Sequence, residues 1–144
     1  MNAPPVDAEA IAAAAQRIGD VARRTPVVPS ATLGERLGTP VVLKAENLQR
    51  VGSFKIRGAL NKLATLGDRC AAGVICGSAG NHAQAVAFAA RERGVPCAVV
   101  MPQGAPVAKV EATEALGAEV TLHGETVTEA VALARELASG RGMT

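Results

Sequence analysis

Val74-Ile75-Cys76-Gly77-Ser78-Ala79-Gly80-Asn81-His82-Ala83-Gln84 is the stretch that decides the fold. Val74 to Cys76 reads as a short apolar strand, residues 77–80 as a turn, and Asn81 to Arg93 as a helix closed by Gly94. The same rhythm follows twice more. Cys97 to Met101 is a strand ended by Pro102, and Val107 to Leu116 a helix closed by Gly117. Glu119 to Leu122 is a strand, His123-Gly124 a turn, and Thr126 to Ala138 a helix. Three strand–helix units in succession predict an α/β fold, an open parallel sheet with flanking helices. Ligands in such sheets sit at the carboxyl ends of strands, in the loops that open the helices. Residues 77–84 and 102–109 are therefore the places to look for chemistry.

Upstream of this region the pattern is less regular. Asp7 can cap a helix running to about Arg23, with Ile11, Ala14, Ile18 and Val21 on one face. Thr25-Pro26 and Val28-Pro29 force an extended segment. Ser30 can cap a short helix ending at Gly38, Val41 to Glu46 reads as a strand, and Ser53 can cap a helix running to about Leu66. The chain ends in Gly140-Arg141-Gly142-Met143-Thr144 with no evident closing element.

Composition excludes several classes of function. The 144 residues are 49% apolar, enough for a sizeable core. Phe54 and Phe88 are the only aromatics, and the formal charge is +2. A chain with neither stacking platforms nor a concentrated basic footprint is not expected to bind nucleic acid. Cys70, Cys76 and Cys97 are odd in number and form no CxxC pair, so they read as reduced, packed thiols, with no metal site expected. No apolar run approaches membrane length, and Met1 to Asp7 lacks the regions of a secretory signal, so a cytoplasmic address without a membrane partner is expected.

Two clusters can carry chemistry. In Gly52-Ser53-Phe54-Lys55-Ile56-Arg57-Gly58-Ala59 a lysine stands in the first turn of a helix, where the dipole favours anions. That field, with desolvation, favours the neutral amine, which can form a Schiff base with a carbonyl cofactor. Phe54 can supply an apolar wall, and Arg57 reads as a structural ion-pair or surface residue. On composition alone the commoner reading of Lys55 is a solvated surface lysine. In the second cluster, Gly77 to Gln84, backbone N–H groups at a helix start form an anion site, with Gly77 and Gly80 allowing a close approach to ligand. Read alone, it is as well an ordinary strand-to-helix turn capped by Asn81.

The two clusters together settle more than either. Leu43-Lys44-Ala45-Glu46-Asn47-Leu48-Gln49, then residues 52–59, then Ser78-Ala79-Gly80-Asn81-His82-Ala83-Gln84 resemble the threonine ammonia-lyase and serine racemase branch of the fold-type II pyridoxal-phosphate enzymes. Thr25-Pro26, Met101-Pro102, Ala105-Pro106 and Lys109 fit the same pattern, so the resemblance covers nearly the whole chain.

The resemblance implies pyridoxal 5'-phosphate as cofactor, with Lys55 as its covalent partner and as the base for the substrate's α-proton. It implies Phe54 against the pyridine ring and Asn81 on the ring's 3′ oxygen. Ser78, Ala79, Gly80, Asn81 and His82 would cradle the substrate carboxylate, mostly through backbone N–H groups. The substrate would be a small amino acid, threonine or serine, converted to a 2-oxo acid by loss of water and then ammonia. Racemases of this family carry serine where Ala79 stands, which favours the lyase. The glycine-rich phosphate loop and the partner of the ring nitrogen, which the family carries further along its chain, do not stand in these residues. The expectation is a truncated enzyme, inactive alone and a homo-oligomer at full length. Residues 1–68 would open the large cofactor domain, and 69–144 would form a small α/β domain. The rival readings are a non-catalytic module that binds an amino acid or a partner chain, and a nucleotide-binding half-domain. The latter lacks its third glycine and acidic residue.

Overall fold

The computed structural model describes residues 6–144; the Met1–Pro5 part of the leader reading lies outside the described residues. Helix α1, Ala8–Ile18, starts where the Asp7 carboxylate accepts from Ala10 N–H at 2.8 Å. It is shorter than the expected helix to Arg23. Gly19 closes it, and the N–H groups of Val21 and Ala22 fold back onto Ile18 O. Beyond that turn, Gln49 holds the Arg23 backbone from both sides, donating to its carbonyl at 2.8 Å and accepting from its N–H at 2.9 Å.

The extended segment at the prolines is a strand, β1, Val27–Pro29. It pairs antiparallel with β2, Val42–Lys44, across the intervening helix α2, Ala31–Leu37. The strand expected over Val41 to Glu46 is cut to three residues because Glu46 already opens a 3₁₀ turn, Glu46–Leu48. A second such turn, Arg50–Gly52, precedes helix α3, Lys55–Leu66. Ser53 does not cap α3: its backbone is extended and its hydroxyl makes no cap bond, while Phe54 occupies the cap position.

Strands β3 (Val74–Gly77), β4 (Cys97–Met101) and β5 (Glu119–Leu122) form a parallel sheet in that order. The helices between and after them are α4 (Asn81–Arg93), α5 (Val107–Glu114) and α6 (Val127–Arg141). The first strand and its helix start, the second strand and the third strand lie where the sequence predicts. Helix α5 stops two residues before the expected Leu116, and α6 runs three beyond Ala138. A Thr126–Glu129 capping box opens α6 and a left-handed Gly142 closes it, so the carboxyl end does have a closing element. Thr144 then exchanges backbone bonds with Gly73 and Ile75.

Helices cover both faces of this sheet. Val99 and Met101 of β4 pack with α4, whereas Val100 packs with Ala130 and Ala134 of α6, as the two-residue period of a strand requires. Ile56, Leu60 and Leu63 of α3 join the α4 side, so one core runs from Ile18 through α3 and α4 to the sheet. Gly77 was expected to admit a ligand, but a Cβ there would stand 2.6 Å from the backbone N and Cα of Val131. The close approach it permits is that of α6 to β3. Gly77→Ala should therefore destabilise the fold by about 1–3 kcal/mol. Gly104→Ala, with nothing within 4 Å of its Cβ position, should stay within about 0.5 kcal/mol of the parent. Urea unfolding midpoints of the two variants measure this, and equal midpoints would contradict the packing argument.

Candidate active site

The sheet delivers α4 and α5 from the carboxyl ends of β3 and β4, and α3 packs along α4. Lys55 is the first residue of α3, and Asn81 and His82 are the first two of α4. The two predicted clusters thus meet at neighbouring helix N-termini. His82 senses the meeting directly: burial first, and then the charge of Lys55, hold its imidazole below the ordinary histidine range.

Lys55 is exposed, and its Nζ stands 4.9 Å from the centroid of the Phe54 ring, itself 59% exposed. Beside them, the Ser53 hydroxyl is buried without a hydrogen-bond partner. A buried hydroxyl left unpaired costs about 1–3 kcal/mol. Val51, four residues before Lys55, holds φ at 54°, a strained value for a β-branched residue. Strain and an orphaned polar group therefore accumulate immediately ahead of Lys55.

In the second cluster, Ser78 N–H donates to Val100 O at 3.0 Å and the Ser78 hydroxyl accepts from Gly80 N–H at 3.3 Å. The sheet thus takes the Ser78 N–H, and Ser78 can meet a ligand only through its hydroxyl. Ala79 is half-buried against the core. Nothing lies within 4 Å of the Cβ position of Gly80. A helix cannot satisfy its first N–H groups internally, which leaves those of Asn81 and His82 available to an anion. The amine of Lys55, the amide of Asn81, these N–H groups and the Ser53 hydroxyl together suit an anionic cofactor that carries an aldehyde.

A polar clasp places Lys55. Glu46 takes the Arg57 guanidinium in both carboxylate oxygens, at 2.8 Å each, and also accepts from the Thr25 hydroxyl. Arg57 is thus the structural ion-pair residue that its position suggests. Its hydrogen bonds hold the Glu46 carboxyl down to about 2, well below its ordinary 4.5. Lys44 Nζ donates to Thr25 O at 2.6 Å, and Arg50 Nε to Val21 O at 2.6 Å. Lys44, Glu46, Gln49 and Thr25 have no role assigned by sequence; the structure gives them this one. Lys109, noted only as part of a pattern, reaches Asn81 Oδ1 at 3.1 Å. A lysine in the first turn of α5 is as electrostatically odd as Lys55, and that signal could have singled it out.

A groove of about 660 Å³ lined by Ile11, Ala14, Ile18, Arg57 and Asn61 lies between α1 and α3 and contains neither Lys55 nor Asn81. Its Arg57 is already committed to Glu46 and its Lys44 to the Thr25 carbonyl. The remaining thiols are chemically quiet: burial pushes Cys76 to about 12 and Cys97 to about 11. No helix among the described residues is long and apolar enough to cross a membrane.

Comparison with known proteins agrees with this geometry. The family described as pyridoxal-phosphate dependent enzyme matches residues 18–144. The chain belongs to that family. This pyridoxal-phosphate family member is 46% identical to the biosynthetic L-threonine dehydratase of Pasteurella multocida over 145 residues, covering 99% of this chain and 28% of that protein. It is 50% identical to the L-threonine ammonia-lyase of Geobacter sulfurreducens over 121 residues, covering 83% of this chain and 30% of that protein. The solved structure of maize serine racemase superposes with a TM-score of 0.89 at 34% identity, covering 96% of this chain and 43% of that one. The chain thus spans well under half the length of these relatives.

The clasp predicts an acid-sensitive fold. The Glu46 carboxyl titrates lower in the folded protein than in the unfolded one, so its contribution is full above about 4.5 and is lost as pH falls towards about 2. Glu46→Gln should lower the melting temperature at neutral pH, and the gap from the parent should close across that window. A gap that stays constant through it would remove Glu46 as its cause.

Proposed function

We propose that this family member carries the amine-bearing half of the active site of a lyase acting on threonine or serine. The convergence of Lys55 with Asn81 and His82 at the N-termini of two packed helices carries the reading. The names of the two bacterial relatives support it.

In this reading Lys55 would hold pyridoxal 5'-phosphate through Nζ, Phe54 would pack against its ring, and Asn81 would donate to its 3′ oxygen. When bound, that group supplies an electron sink for negative charge at the substrate's α-carbon. Once the substrate's amino group had taken its place on the cofactor, the freed Lys55 Nζ would be the base for the α-proton. Free N–H groups at the start of α4, with the Ala79 backbone, the Ser78 hydroxyl and His82, would hold the substrate carboxylate and orient that proton towards Lys55; the Gly80 N–H is already given to the Ser78 hydroxyl. The net change is loss of ammonia to give a 2-oxo acid, since water lost from the β-carbon is regained on hydrolysis. The Ala79 methyl has no ionisable proton, so the opposite face of the substrate would have no donor at this position. The reading also places the protein in the cytoplasm as a homo-oligomer, which fractionation and light scattering test.

The decisive experiment is borohydride reduction after incubation with pyridoxal phosphate. Peptide mapping should find one stable adduct, on Lys55, and none in Lys55→Ala, with turnover of the full-length protein essentially abolished. An adduct on Lys44, Lys62 or Lys109 instead would overturn the assignment. Reaction choice has its own test. In the full-length protein, Ala79→Ser should raise serine racemisation relative to elimination by roughly tenfold or more. Chiral chromatography of residual serine reads the ratio, and efficient racemisation by the parent would refute the role given to Ala79.

A further inference from the structure

The Lys109–Asn81 contact has a direction that chemistry fixes. A lysine ammonium has three donors and no acceptor. The Asn81 atom it meets at 3.1 Å is therefore the side-chain oxygen, whichever way the amide would otherwise turn. With Oδ1 taken, both Nδ2 hydrogens remain, and no described group accepts from them. Asn81 is exposed, so these donors are available to a ligand.

Lys109 is itself held. It lies in the first turn of α5, its N–H bonds to Pro106 O at 2.8 Å, and its carbonyl accepts from the Thr113 hydroxyl at 2.7 Å. Thr113 is fully buried, and α5 packs on α4. The backbone that carries Lys109 is therefore anchored in the core. No carboxylate lies within salt-bridge distance of Lys109 or Lys55 among the described residues. Each of these lysines thus sits in the first turn of its helix without a carboxylate partner.

We propose that Lys109 is a positioning residue of the site: by holding Asn81 Oδ1 it turns the Asn81 amide into an outward-facing donor of fixed orientation, matched to the anionic 3-oxygen of the cofactor ring. The inference rests on the reading above, in which Asn81 meets that oxygen. The ammonium also polarises the amide, which strengthens its Nδ2 donors towards that oxygen. A neutral isostere at 109 would free the amide to rotate and present its oxygen, an acceptor, to an oxygen that also accepts.

The test separates this role from a simple tie between α4 and α5. The full-length parent, Lys109→Met, Lys109→Arg and Asn81→Ala are titrated with pyridoxal phosphate and with its 3-O-methyl ether, whose 3-oxygen carries no charge. Lys109→Met should bind pyridoxal phosphate about tenfold more weakly, the loss of one charge-assisted contact. It should bind the ether as the parent does. Lys109→Arg should restore most of the loss, and adding Lys109→Met to Asn81→Ala should change little further. Equal losses for both ligands would mark Lys109 as only a structural tie and overturn the proposal, as would no loss at all. A parent that forms the Lys55 adduct while Lys109→Met behaves normally sinks this inference alone. A parent that forms no Lys55 adduct sinks the functional reading together with it.

Discussion

Helix α4 can be buried on nearly every side only because it is made of small residues. Ala83, Ala85, Ala87, Ala89 and Ala90 are all buried, and they let α3, α5 and the sheet approach one cylinder at once. A larger side chain at any of these positions would have to displace a neighbouring element, because the interior has no spare volume. The approach of α3 is the consequence that matters. It sets the start of α3 beside the start of α4, and so sets Lys55 beside His82. Phe88, the one bulky exception on α4, lies under two guanidinium groups, Arg50 at 5.8 Å and Arg91 at 5.2 Å from its ring. Arg50 belongs to the turn that leads into α3, so even the exception ties the helix to the segment that carries the lysine.

That segment is held by polar contacts where α4 relies on apolar ones. The connection from α1 to β1 and the turns before α3 have few buried apolar side chains of their own. Gln49 substitutes for a strand partner by bonding both backbone groups of Arg23, and the Glu46–Arg57 pair joins the turn to the first turns of α3. Such a fork-to-fork pair fixes orientation as well as distance. This explains how the chain tolerates a left-handed Val51 and an unpartnered Ser53 hydroxyl just ahead of Lys55. Unfavourable local terms persist where the surroundings over-determine the backbone.

The parallel sheet was legible because its signals are local and redundant. Val74, Cys97 and Glu119 each begin a strand at the expected residue, since short apolar runs between glycines and prolines leave little choice. The pairing of β1 with β2 was not legible: each contributes three residues, and the prolines that mark the segment as extended also mask it as a strand. Gly77 shows a different limit. Its place in a glycine-bearing loop suggests a ligand, yet the atoms that need the space belong to Val131, more than fifty residues on. Lys55 and Asn81 stand out only when the two clusters are read together as a resemblance to the family; residue type alone points to a surface lysine and a helix cap. The clasp and the Lys109 contact depend on partners brought together only by tertiary structure, and no local pattern encodes them.

Electrostatics connects these observations to the chemistry. Lys55 and Lys109 both occupy first helical turns, where the helix dipole opposes a positive charge. Arg57, in the first turn of α3, has its charge relieved by the carboxylate of Glu46. Lys109 turns instead to the uncharged Asn81. Lys55 and Lys109 thus differ from Arg57 in having no carboxylate partner among the described residues. A cation at a helix N-terminus with no carboxylate beside it leaves a positive local field that favours an anion. A ligand bearing a phosphate or a carboxylate gains from such a field.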